Sequence, residues 1–122
     1  MTVILKFGGS VITDKANPGV IRSGVIAELA AAVAAANKPA VIVHGAGSLG
    51  HPEAKAYGIA DGVSKENARG VYVTHTAVSR LNAEVVAALR EAGVEAVSFH
   101  PFSSALAENG RLVFCGEEQI SC

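Results

Sequence analysis

The sequence predicts an α/β domain, a three-layer αβα sandwich around a mainly parallel sheet, and three observations carry that expectation. Two runs of apolar β-formers, Val3–Phe7 and Ala40–His44, lack the alternation of a half-exposed strand and read as strands buried on both faces. A segment of helical periodicity lies between them, giving a strand–helix–strand unit whose crossover should be right-handed. Half of the 122 residues are hydrophobic but only 5% are aromatic, which suits close packing of helices on a sheet better than a pocket lined with large rings. A chain of this length fits one domain, residues 1–122, and can bury roughly two-thirds of the surface it exposes when unfolded.

The elements follow in order. Val3–Phe7 is the first strand and ends in Gly8-Gly9-Ser10. Val11 to Lys15 leads into Asn17-Pro18-Gly19, whose turn chemistry predicts a loop, with Lys15 on mobile backbone. Ser23 is placed to cap a helix over about residues 24–36, with Ile26, Leu29, Ala30 and Val33 on one face, ended by Asn37-Lys38-Pro39. The second strand, 40–44, runs into Gly45-Ala46-Gly47-Ser48-Leu49-Gly50-His51. Pro52 is suited to the first position of a short helix that reaches Tyr57 and closes at Gly58. Asn67 opens a long helix to about Glu91 with Val71, Val78, Leu81, Val85 and Leu89 inward, and Gly93 stops it. Val94–Phe99 is a third strand candidate, Pro101 starts a turn of helix, and Asn109-Gly110 predicts a hairpin with Arg111–Phe114 as one arm. Gly116 to Ile120 reads as the first turn of another helix, too short to stand alone. Three strands under one helical layer leave an open edge, so the fold is expected to be incomplete at its C-terminal side.

Composition narrows the function classes. Ten basic and eleven acidic side chains give a formal charge of -1, without blocks of like charge, which argues against nucleic acid or an anionic membrane as partner. Cys115 and Cys122 lack zinc-site spacing and do not form a disulfide framework, so a reducing cytoplasm is the expected compartment. The apolar start Met1–Leu5 is too short for a membrane span or a signal peptide.

The two glycine turns carry the chemistry. A strand ending in glycines presents consecutive N–H groups that anionic oxygens can approach, and a helix starting there adds its positive end. Two such turns on neighbouring parallel strands lie at the same sheet edge, where ligands of open α/β sheets bind. Lys6 and His51 supply countercharge, and two facing phosphates are what phosphoryl transfer requires. On the residues alone, Lys6 is read either as a phosphate ligand or as a snorkelling surface lysine. His51 is either a ligand or a cap on the helix that Pro52 begins, and Lys15 either touches phosphate or pairs with Asp14 in solvent. His44 is read as a hydrogen-bonder that orients the loop, and His75 and His100 as helix and strand-end residues. No metal site follows from them. Gly45–Gly50 also fits G-x-G-x-x-G, the fingerprint of a dinucleotide-binding oxidoreductase domain. That fingerprint normally follows the first strand, whereas here a separate glycine turn precedes it.

With Ile4–Lys15, Val43–Pro52, Gly70–Asn82 and Ser98–Ser103 in view, the chain resembles the N-terminal half of the isopentenyl phosphate kinases, within the amino acid kinase superfamily. Lys6 followed by Gly-Gly-Ser marks the superfamily, and the Ser48-Leu49-Gly50-His51 ending narrows it to members that accept a phosphate. The resemblance implies transfer of the γ-phosphoryl group of ATP to isopentenyl phosphate, assisted by Mg²⁺. It implies that Lys6 holds the transferring group, that the N–H groups of Gly8, Gly9 and Ser10 cradle ATP phosphates, and that Gly47 borders the nucleotide side. On the acceptor side it places Ala46 and Gly50, with His51 gripping the acceptor phosphate through an N–H and Lys15 reaching the same phosphates. Val71, Tyr72, Thr74 and His75 would form the wall along the isoprenoid tail. Ala46 stands where the family's loop has a middle glycine, which is harmless if its φ is negative, as expected here. The family's nucleotide-binding C-terminal half is absent from these residues, so ATP binding by this chain alone is expected to be poor. A complementary C-terminal half or a copy of the chain would complete the sheet, and a non-catalytic half is the alternative.

Overall fold

A computed structural model describes residues 1–116. Strands β1 (Val3–Phe7) and β2 (Ala40–His44) occupy their predicted spans and pair in parallel, with Val3 opposite Ala40 and Phe7 opposite His44. Chain order continues through α1 (Gly9–Ile12), α2 (Ser23–Ala36), α3 (Gly47–Ala56) and α4 (Ala68–Glu91), then an antiparallel hairpin of β3 (Leu106–Glu108) and β4 (Arg111–Phe114). The α/β class with a parallel pair is therefore as predicted. No helix among the described residues is long and apolar enough to cross a membrane.

The core lies on one face of the sheet. Phe7, with Leu5 and Ile42 beside it, meets Ile26, Ala30 and Val33 of α2 and Leu81, Val85 and Leu89 of α4. In α4 these residues recur at spacings of four, so each turn returns an apolar side chain to the same seam. The opposite sheet face stays open, with Ile4 75% and Val43 49% exposed. The described residues thus supply one helical layer of the expected sandwich.

Several local details differ from the sequence expectations. Ser23 is the first residue of α2 and its side chain caps nothing; Arg22 holds the cap position. The turn at Pro52 does not open α3, which begins five residues earlier at Gly47 with Pro52 inside it. A proline there deprives the Ser48 carbonyl of its helical N–H, and the Gly19 N–H donates to that oxygen instead, at 3.2 Å. Val94–Phe99 is not a strand: the Val94 N–H folds back to Leu89 O, Val97 is exposed, and no neighbouring strand among the described residues offers a ladder. The hairpin is present, and Asn109 and Gly110 both take positive φ, 50° and 74°, as a two-residue turn between twisted strands requires. The partner of the Arg111–Phe114 arm, open on sequence, is β3. The expected helical turn after Gly116 and Cys122 lie outside the described residues.

Candidate functional site

Both glycine turns emerge at the carboxyl ends of β1 and β2 and run directly into α1 and α3. Between them is a cleft of about 530 Å³ lined by Lys6, Gly8, Gly9, Ser10, Lys15, Gly47 and His51, together with Thr13, Pro18, Gly45, Ser48 and Pro52. Seven residues singled out from sequence therefore share one cavity. The N–H groups of Gly9, Ser10 and Gly47 have no hydrogen-bond acceptor among the described residues. Among the described residues no carboxylate lines the cleft, so the charged groups they bring to it are the two ammonium side chains beside one imidazole, an environment suited to anionic oxygens.

The neighbouring acid is turned away. Asp14 accepts from the N–H groups of Ala16 and Asn17 and from the Asn17 side-chain amide at 2.9–3.2 Å, and Arg22 lies 3.9 Å from it. These bonds, the Asn17 amide foremost and Arg22 least, hold its carboxyl below the ordinary value. The solvated pairing of Asp14 with Lys15 does not form; Asp14 pairs with Arg22. The loop that carries Lys15 is also tied rather than loose, by the Asp14 bonds, by the Thr13–Ile21 bridge and by Gly19 on Ser48.

The two turns touch backbone to backbone. A Cβ on Gly9 would fall 2.7 Å from Gly47 Cα, and Gly47 itself has φ +53°. Ala46, by contrast, sits at φ -74°, the negative value its side chain needs. Thr13, 0% exposed, bridges the turns: its hydroxyl donates to Gly9 O at 2.6 Å and accepts from the Ser48 N–H at 3.0 Å. Thr13 was not among the site residues expected from sequence. The available signal was a hydroxyl residue four positions after a glycine at a helix start, placed to bond back to that carbonyl.

On the second turn, His44 Nδ1 lies 3.1 Å from Gly45 O, and Asn82 Nδ2 lies 3.0 Å from His44 Nε2. Asn82 Oδ1 accepts from Ser98 Oγ at 2.7 Å. A carbonyl only accepts, so this chain of partners assigns the proton to Nδ1 and makes Nε2 the acceptor. His44 orients the loop, as read from sequence.

Ala46, Gly50, Val71 and Thr74 are not among the residues lining the cleft. Gly50 is buried against α4, where a Cβ would fall 2.8 Å from Val78 Cγ2, with the Thr74 methyl at 3.9 Å. Thr74 Oγ1 is buried without a hydrogen-bond partner among the described residues. His75, four residues before Ser79 on α4, stacks on Phe102 with ring centroids 4.6 Å apart. No group of His, Cys, Asp and Glu able to hold a metal ion occurs among the described residues.

Comparison with known proteins gives the family. The model of the amino acid kinase family matches residues 1–120. The isopentenyl phosphate kinase of Haloferax volcanii is 44% identical over 108 residues, covering 87% of this chain and 44% of that protein. The isopentenyl phosphate kinase of Methanothermobacter thermautotrophicus is 38% identical over 118 residues, covering 90% and 44%. Among solved structures, one of an isopentenyl phosphate kinase superposes with a TM-score of 0.90 at 34% identity, covering 99% of this chain and 52% of its own. A Thermoplasma acidophilum isopentenyl phosphate kinase product complex superposes with a TM-score of 0.80 at 30% identity. The chain spans less than half the length of these two curated relatives. With the strand-end glycine turns, the lysine before the first of them and a match that runs nearly the length of the sequence, the chain belongs to the amino acid kinase family.

Proposed function

We propose that this chain is the acceptor-side half of a kinase that transfers the γ-phosphoryl group of ATP to isopentenyl phosphate, yielding isopentenyl diphosphate and ADP. The observation that carries the proposal is the convergence in a single cleft of Lys6, Lys15 and His51 with the N–H groups of Gly9, Ser10 and Gly47, which find no acceptor among the described residues, none of which brings a carboxylate to the cleft. The relatives named for this reaction supply the substrate's identity.

An acceptor oxygen attacks the γ-phosphorus as the bond to the ADP oxygen breaks, so two anions must be brought together. At about 4 Å, each pair of unit charges repels by about 1 kcal/mol in water and by about 4 kcal/mol near a protein surface. Positioning and countercharge are therefore the main catalytic tasks. Lys6, at the end of β1 where the turns meet, neutralises the transferring group. The Gly8–Ser10 turn and Gly47 receive nucleotide phosphates. His51, on the exposed side of α3, donates an N–H to the acceptor phosphate and leaves another oxygen free to attack, while Lys15 reaches in from its tethered loop. Ala46 and Gly50 set the acceptor side through the turn and the α3–α4 contact, and Val71 and Thr74 belong to the wall beyond it. A magnesium ion, when bound, would supply charge neutralisation for the transferring phosphoryl group. The described residues of this cleft do not fit the ion as ligands, since none of them brings a carboxylate to the cavity.

Residues 1–122 would then form one domain, and the open sheet face at Ile4 and Val43 is where the complementary nucleotide-binding half docks. The test is a phosphorylation assay read by ³¹P NMR, with ATP and a series of short isoprenoid monophosphates. It is run on the chain alone and on the chain supplied with the C-terminal half of the Haloferax relative. Isopentenyl diphosphate and ADP should accumulate in equal amounts in the completed assembly and far more slowly without it. His51→Ala should lower turnover of isopentenyl phosphate much more than it weakens ATP binding. Equal losses for both ligands, or no phosphorylation by an assembly shown to be folded, would overturn the assignment.

A further inference from the structure

We propose that Thr13 and Pro52 are positioning residues that together clamp the Lys15 segment onto the second glycine turn and so fix the spacing between the two phosphate cradles. The inference rests on the kinase reading above. Thr13 is the one fully buried polar side chain among the described residues, and both capacities of its hydroxyl are used across the junction, donating to Gly9 O and accepting from the Ser48 N–H. That N–H belongs to the first turn of α3, where helical donors lack internal partners and a bound anion would otherwise take them. Thr13 occupies it permanently, so the turn keeps its orientation without ligand.

The other side of Ser48 is held from the same segment. Pro52 cannot donate to the Ser48 carbonyl four residues back, and the Gly19 N–H fills that position at 3.2 Å, with Ser48 Oγ 3.4 Å from the same nitrogen. Ser48 is thus gripped at its N–H by Thr13 and at its C=O by Gly19, and Lys15 lies between those two anchor points. A proline inside a helix is locally unfavourable. Here it frees a carbonyl to receive the loop that carries a cleft lysine.

Three variants test the clamp by amide hydrogen exchange on the 122-residue chain and by the phosphorylation assay on the completed assembly. Pro52→Ala restores a helical donor that competes with Gly19 for the carbonyl. It should raise or preserve the melting temperature, speed exchange at the Gly19 amide about ten-fold or more, and lower kcat at least about five-fold with the KM for ATP held within about two-fold. Thr13→Val removes the hydroxyl and should speed exchange at Ser48 by about ten-fold or more with a matching fall in kcat, whereas Thr13→Ser should keep both within about three-fold of wild type. A residue that merely supports the fold would move stability and the active fraction, and would not give a more stable, slower enzyme. Unchanged exchange at Ser48 and Gly19, or open loops with undiminished kcat, would overturn the proposal. If Thr13→Val fails to fold, Pro52→Ala decides. A wild-type assembly that transfers no phosphoryl group sinks the kinase reading alone, and the exchange measurements then decide whether the clamp exists.

Discussion

Replacing Gly47 with alanine tests whether the two glycine turns share a wall. Gly47 holds φ +53°, where a Cβ costs about 1–2 kcal/mol. The added methyl would fall 2.5 Å from Gly9 O and 2.9 Å from Gly9 C and would overlap Thr13 Oγ1. Driving packed groups apart costs about 1–3 kcal/mol, and pushing Thr13 off Ser48 leaves a half-buried N–H without its partner, at about 1 kcal/mol, the low end for such a loss. These effects share atoms and do not add fully, so the expected loss is about 3–5 kcal/mol. That is a large fraction of the roughly 5–15 kcal/mol of a domain's stability, and corresponds to a fall in Tm of about 10–20 °C. Gly24→Ala is the internal control. Gly24 lies in the first turn of α2 with nothing within 4 Å of its would-be Cβ, so there the methyl should stabilise by about 0.4–1 kcal/mol. Urea unfolding followed by circular dichroism at 25 °C reads both variants. The shared-wall geometry is refuted if Gly47→Ala stays within about 1 kcal/mol of wild type.

Three further expectations concern the core, the tethered loop and the cleft. Leu81 is 0% exposed, so Leu81→Ala should cost about 2–5 kcal/mol in the same urea experiment, and a loss below about 1 kcal/mol would mean that α4 is not seated as described. Asp14 has a carboxyl held below 3.8, chiefly by Asn17; the folded loop favours the ionised form, so its contribution is complete above the unfolded value and is lost as pH falls through the lower folded one. The Ala16 and Asn17 amides should therefore stay protected at about pH 5 and open only below about pH 4, and Asn17→Ala should raise the midpoint of the Asp14 ¹³C carboxyl titration, an unmoved midpoint showing that Asn17 is not its cause. On the proposed role of Lys6, Lys6→Ala should reduce turnover in the completed assembly by about 10²–10³ with stability unchanged; undiminished turnover would take Lys6 out of the mechanism.

Much of the frame was legible because its causes are local. Val3–Phe7 and Ala40–His44 are short β-branched runs bounded by turn residues, and both strands fall on those spans. The long helix was legible from the recurrence of Leu81, Val85 and Leu89, and its end from Gly93, which takes φ +91°. Val94–Phe99 was misjudged because β-propensity states what a segment fits, whereas a strand exists only where a neighbour completes its ladder. Inside the described residues that neighbour is missing; Ile4 and Val43 lie in the open for a separate reason, since among the described residues no helix covers their face of the sheet.

The cleft was legible for a different reason: glycine turns at parallel strand ends can face only one edge, so Lys6, Gly8–Ser10, Gly47 and His51 were brought together by topology. What sequence reasoning missed were the residues that join the turns, and each involves a local rule broken by a distant group. Proline is favoured at a helix start because its missing N–H costs nothing there. Pro52 lies well inside α3, and the position is tolerable because Gly19, 33 positions earlier in the chain, donates to the carbonyl that Pro52 leaves vacant. Thr13 reads as an ordinary loop residue until Ser48 is placed beside its hydroxyl. Both exceptions converge on the single peptide neighbourhood of Ser48, at the seam between the cradles. Local preference and tertiary structure are expected to disagree where function requires a geometry that local preference would not choose. A search for the residues that hold this cleft in shape should therefore begin with its broken rules, ahead of its charged side chains.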